Sequence, residues 1–203
     1  MRMRRSLPRM TILWLALFLL AGCSRSPRVV YYTLNAVATP ETMAQVPALD
    51  SVAIGPITLT EAPNQPLLVV RTAANEVDIL ETHRWAAPLK SEIPRIIAED
   101  LTLLLKPARV STYPQNAGVD AGYRILIDIQ RFEMTAGKDV ALDALWSVHR
   151  AGSDAPKKTG RSVVSEPAGA AGYDALVAAQ SRALAAVSRD LAAALRAEAA
   201  AIR

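Results

Sequence analysis

Two runs of alternating residues, separated by one short turn, set the terms for any fold of this chain. From Tyr123 to Met134, Tyr123, Ile125, Ile127 and Ile129 share one side, while Arg124, Asp128 and Gln130 share the other. After Gly137-Lys138-Asp139, residues Val140, Leu142, Ala144, Trp146 and Val148 alternate with Asp143, Ser147 and His149. A period of two is that of a β-strand, whose side chains point alternately to opposite faces. The pair therefore predicts an antiparallel hairpin with one buried and one solvated face.

The cover for that buried face has a different period. Leu89, Ile93, Ile96, Ile97, Leu101, Leu104 and Leu105 recur at spacings of three and four, the stripe of an amphipathic helix. Pro88 suits its first turn. Pro94 removes one backbone bond and predicts a kink or a start near Ser91, and Pro107 ends the helix. A long terminal helix is predicted from about Tyr173, with Leu176, Leu184, Val187, Leu191, Leu195 and Ile202 as its apolar stripe and many flanking alanines. Shorter strands are predicted at Val29–Leu34, at Ser51–Gly55 stopped by Pro56, at Ala108–Tyr113 and at Arg161–Ser165. Leu67–Arg71 and Glu76–Leu80 read as a hairpin around Thr72-Ala73-Ala74-Asn75, and residues 35–50 as a loop. The sum is an α+β fold: a mainly antiparallel β-sheet with two α-helices packed on one face.

The N-terminus belongs to another purpose. Arg2, Arg4, Arg5 and Arg9 precede an eleven-residue apolar run, Met10 to Leu20. A bilayer-spanning helix needs about 20 apolar residues; a charged stretch, a short apolar run and then small residues make a secretory signal peptide. The small residues are Ala21 and Gly22, and Cys23 follows as the one cysteine of the chain, which leaves no partner for an internal disulfide. Leu20-Ala21-Gly22-Cys23 resembles the lipobox of bacterial lipoproteins. That resemblance implies cleavage before Cys23, a diacylglyceryl group on its thiol and an acyl group on its amine. Three acyl chains exceed the two signals that stable anchoring takes, at about 0.8 kcal/mol per buried CH₂. Residues 1–22 are thus read as signal peptide, 23–28 as lipidated cysteine and tether, and 29–203 as one domain. Ser24 in place of Asp, by resemblance to enterobacterial sorting, favours the outer membrane.

Cleavage changes the charge. Loss of four arginines takes the 23 basic residues to 19, equal to the 19 acidic ones. The basic balance sits in the targeting segment, so nucleic acid is not an expected partner. The tether also sets a distance. Ser24 to Arg28 span at most about 17 Å when extended, so the domain must sit close to its membrane.

Motifs for chemistry are lacking. The sequence has no Gly-rich phosphate loop and no Gly-x-Ser-x-Gly elbow. His83 and His149 have no metal-ligand spacing, and His83 reads as a surface residue or one near the start of the first helix. Glu92, Glu99 and Asp100 are assigned to the polar side of that helix as solvated charges. No catalytic residue, metal or cofactor is expected beyond the lipid on Cys23. Two features bear on binding. Arg182, Arg189, Arg196 and Arg203 recur every seven residues, and such positions drift only about 20° per heptad on a helix, forming a basic row. That row is a candidate contact for headgroups or an acidic partner, or else a solvated face. Arg84-Trp85, just before the first helix, is a core anchor or a partner interface.

Three stretches taken together carry a family likeness: Tyr31-Tyr32-Thr33-Leu34 after the lipobox, Val52-Ala53-Ile54-Gly55-Pro56-Ile57-Thr58-Leu59, and Arg84-Trp85-Ala86-Ala87-Pro88-Leu89-Lys90. In order and spacing they resemble the PqiC family of lipoproteins, also called ABC-type transport auxiliary lipoproteins. The resemblance implies a role without catalysis. The chain would be an outer-membrane lipoprotein accompanying an inner-membrane permease and a periplasm-spanning MCE-domain protein, in a system that moves lipids and supports envelope integrity. It would anchor the distal end of the MCE tunnel, as a homo-oligomeric ring. The alternatives are a regulatory lipoprotein of cell-wall synthesis, which generally needs a long linker, and a subunit of lipopolysaccharide assembly.

Overall fold

A computed structural model describes residues 27–40, 49–60, 65–113, 121–153 and 155–201. Residues 1–22, read above as a signal peptide, lie outside them, as do Cys23, Ile202 and Arg203. The described elements run β1 (Val30–Tyr32), β2 (Ser51–Leu59), β3 (Leu67–Ala73), β4 (Glu76–Trp85), α1 (Leu89–Leu104), β5 (Arg109–Thr112), β6 (Tyr123–Thr135), β7 (Asp139–Arg150), β8 (Pro156–Pro167) and α2 (Tyr173–Ala200). This is an α+β fold with both helices against one face of a single sheet.

The predicted hairpin is β6–β7, and β8 extends it on the far side of β7, both junctions antiparallel. The other edge of β6 is shared: its first half runs parallel to β2 and its last residues parallel to β3. β4 joins β3 antiparallel, while β1 on β4 and β5 on β2 are parallel. The sheet is therefore mixed, with its longest ladders antiparallel. The parallel junctions join segments distant in sequence, which alternation alone does not reveal.

Two bulges keep apolar residues on the helix side. In β6 the register shifts between Ile129 and Arg131, so the buried set passes from odd residues, ending at Ile129, to Phe132 and Met134. An extra residue in one strand is what allows such a change of parity. In β2 the register shifts between Ile54 and Ile57, both buried. Pro56, expected to stop this strand, instead sits within the irregularity, where no ladder N–H is required of it. Gly55 supplies the positive φ of 114° there.

α1 starts at Leu89 with Pro88 as its N-cap and runs on through Pro94. The carbonyl that Pro94 leaves without a helical donor is that of Lys90, an exposed residue open to water. α1 packs on β2, β5 and α2, and α2 packs on β6, β7 and β8. The predicted stripes are the buried ones: Leu89, Ile93, Ile96, Ile97, Leu101 and Leu104 on α1, and Leu176, Leu184, Val187, Leu191 and Leu195 on α2. Among the described residues no helix is long and apolar enough to cross a membrane.

β8 is longer than expected because part of its inward face is polar or small. Gly160 lies opposite Trp146, whose indole crosses it; a Cβ there would overlap the ring. The same indole donates from Nε1 to Ser162 Oγ at 3.0 Å, and Ser162 donates to Asp190 Oδ2 of α2 at 2.6 Å. This chain of bonds ties the outer hairpin to the helix. Gly160→Ala is expected to destabilise the domain by about 1–3 kcal/mol through overpacking. Denaturant unfolding checks it, and the penalty should shrink in a Trp146→Leu background.

Candidate interaction site

The corner where β1 meets β4 holds the residues singled out before the first helix. Register places Tyr31 beside Arg84 and Tyr32 beside Trp85. Alternation then sends the two pairs to opposite faces. Tyr31 and Arg84 point away from the helices and are exposed. Trp85 points inward and is 6% exposed, so its ring belongs to the core and only Arg84 of the pair is available at the surface. The Trp85 amide donates to Pro66 O and that of Ala86 to Tyr32 O, both at 2.9 Å, which fixes the approach to α1.

His83 is neither exposed nor near the helix start; it lies half-buried within β4. Its Nδ1 is 2.8 Å from the Tyr32 hydroxyl, and its ring meets Tyr173 of α2 edge-on at 4.6 Å. Burial, then the nearby Asp174 and Tyr173, push the Tyr32 phenol above its ordinary value. The cluster clips the first strand to the start of the last helix.

After β1 the chain forms a strap across both helices, with Leu34 and Ala38 buried. The Asn35 amide donates to Ser181 Oγ at 3.2 Å, and the Ala38 amide to Asp100 Oδ1 at 2.9 Å. Ser188 donates to Asp100 Oδ2 at 3.3 Å. Asp100, assigned above to the solvated side of α1, is thus fully buried between α1, α2 and the strap. Glu99 does lie on the outer side, while the Glu92 side chain is only 13% exposed; the two bracket Arg95 at 2.6 and 2.7 Å. The signal for Asp100 is absent from its own helix, since its partners come from residues 38 and 188.

The heptad arginines do not act as one row. Arg182 donates to Glu166 Oε2 at 3.3 Å and to the Pro167 carbonyl at 2.6 Å. Arg196 donates to the Leu104 carbonyl at 2.7 Å, closing the C-terminal end of α1, where a cation is favoured. Arg189 is exposed. Asn35, Val37, Ser181, Arg182 and Arg189 border an open groove of about 410 Å³ between strap and α2. Among the described residues no group of three His, Cys, Asp or Glu could hold a metal.

The site thus consists of buried ties, one open sheet face and an N-terminal strap. A family model for ABC-type transport auxiliary lipoprotein components matches residues 32–192. The chain belongs to that family. Its class is thereby a lipoprotein auxiliary to transport, which is not an enzyme family, and its partners are transporter components. Two crystal structures share the fold. One is of an uncharacterised protein, 16% identical, with a TM-score of 0.68, covering 83% of this chain and 99% of that one. The other is of a DUF330 protein from Xanthomonas campestris, 17% identical, with a TM-score of 0.66, covering 80% and 92%. No curated protein matches.

Asp100 generates a test. Burial pushes its carboxyl above the ordinary range, against the hydrogen bonds from Ala38, Ser188 and Val37, with Glu99 adding a further push upward. The native state therefore holds this proton more tightly than the unfolded chain. The stability it contributes is full below the ordinary value of about 3.9 and is lost as pH rises through the raised one. Asp100→Asn should flatten that part of the stability profile, measured by urea midpoints. Asp100→Ala should cost about 1–3 kcal/mol and speed amide exchange at Ala38.

Proposed function

We propose that this chain is the outer-membrane-anchored lipoprotein of an MCE-type intermembrane lipid transport system. It docks the periplasmic MCE tunnel protein at the outer membrane, supports envelope integrity and forms a homo-oligomeric ring around the tunnel end. The observation that carries the reading is where the family match begins. It starts at Tyr32, within the first strand, and the residues ahead of it are those read as signal peptide, Cys23 and a very short tether. A tether of about 17 Å suits a part held at one membrane and met there by a partner that spans the gap.

The edge of β8 supports docking. It is a long strand, Pro156–Pro167, hydrogen-bonded along one side to β7, with Val163 turned outward. Such an edge accepts another strand. Lys157, Lys158 and Arg161 punctuate it, which guards against indiscriminate pairing.

The test is crosslinking in isolated outer membranes, capture by a C-terminal tag and mass spectrometry of what is bound. Recovery of an MCE-domain protein is the expected result. Recovery of a cell-wall synthase or of lipopolysaccharide machinery without an MCE protein would replace the reading. Cys23→Ser should abolish acylation and leave the uncleaved precursor, read by intact mass.

A further inference from the structure

Most of the large apolar side chains exposed in this domain are on the helix-free face, and they are unevenly spread. Toward the β6–β8 end, Val163 and Leu145 are exposed but stand among charges that pair with one another. Arg161 meets Asp143 at 2.5 Å and Arg131 meets Glu133 at 2.9 Å. At the β1–β4–β3 end the same face carries more of the apolar side chains, with Arg71 and Arg84 among them. Ile79 pairs in register with Val69, and Val77 with Arg71, all turned away from buried Leu68 and Val70. Leu67 lies beside Arg84, which lies beside Tyr31. Tyr31 is 63% exposed, Ile79 52%, Val77 47% and Val29 38%. With half-buried Leu67 and Val69 they make one patch, with Arg84 set between Tyr31 and Leu67.

We propose that this patch rests against the lipid bilayer that holds the anchor. The inference depends on the reading of Cys23 as the acylated residue. Six residues separate Cys23 from Val30, so the first strand starts within about 24 Å of the acyl chains. Two of the patch residues, Val29 and Tyr31, belong to the strand end that the tether delivers. A contiguous apolar surface marks an interaction site, and here the partner that chain length brings close is a membrane. A tyrosine at the rim suits an interface that is apolar on one side and wet on the other. Exposed Arg28 stands beside it and exposed Arg84 within it, placed to meet anionic headgroups while their stems cover apolar surface. The patch would fix the domain's orientation, turning the helices and the groove beside Arg189 toward the periplasm.

The test uses the full-length chain processed in cells, purified and reconstituted in vesicles of phosphatidylethanolamine and phosphatidylglycerol. Acylation consumes Cys23, so one added cysteine gives a unique nitroxide site. Tyr31→Cys, Ile79→Cys and, on the far side of α2, Ala193→Cys are labelled and compared. Collision with oxygen relative to a water-soluble nickel complex should be several-fold higher at 31 and 79 than at 193. An acylated protein with all three sites equally aqueous overturns the contact and leaves the anchor standing. Labels at 31 and 79 shielded from both oxygen and nickel would mean a second copy covers the patch, and also overturn it. An unmodified Cys23 in the intact mass removes the anchor and overturns both.

Discussion

The structure depends on one strand being paired on both sides while only one of its faces is dry. β6 receives β2 and β3 on one edge and β7 on the other, so most of the sheet is assembled around it. Its bulge after Ile129 lets Phe132 and Met134 remain on the helix side as the strand passes from β2 to β3. Loss of that extra residue would turn one half of the buried set to water. The helices follow from the same asymmetry, since their apolar stripes have a single dry face to cover.

Polar groups then set the relation between the layers. Asp100 and Ser188 bond α1 to α2, Asp100 and Ser181 hold the strap, Arg196 closes α1, and Asp190 reaches Ser162 under Trp146. Buried polar groups with partners specify one arrangement where apolar packing alone would tolerate several. Asp100, assigned above to the solvated side of α1, is thereby used in holding the domain together. The surfaces open among the described residues include an edge strand, a groove beside Arg189 and the helix-free face. This fits a family whose members assist transport.

The β6–β7 hairpin and both helical stripes were legible in the sequence because strong periodicity and one-sided burial coincide there. The α+β class followed from them. β2 was read as ending at Pro56 because a proline within a strand makes sense only beside a bulge, and the bulge is defined by its partner strand. Asp100 looked like a surface charge because its bonds come from residues far away in the chain. The arginine heptad was real as spacing, but Arg182 and Arg196 turn to carbonyls that no periodicity encodes. The patch at Tyr31, Val77 and Ile79 was hidden by the same feature that made the strands visible: alternation shows which residues share a face, and not which face the helices leave open.

The account stands or falls on where the mature chain resides. Separation of inner and outer membranes on a density gradient, with the native chain followed through the fractions, tests this most directly. Residence in the outer-membrane fractions, lost in Cys23→Ser, is the predicted result. Residence in the inner membrane, or release as a soluble periplasmic protein with Cys23 intact, would contradict it.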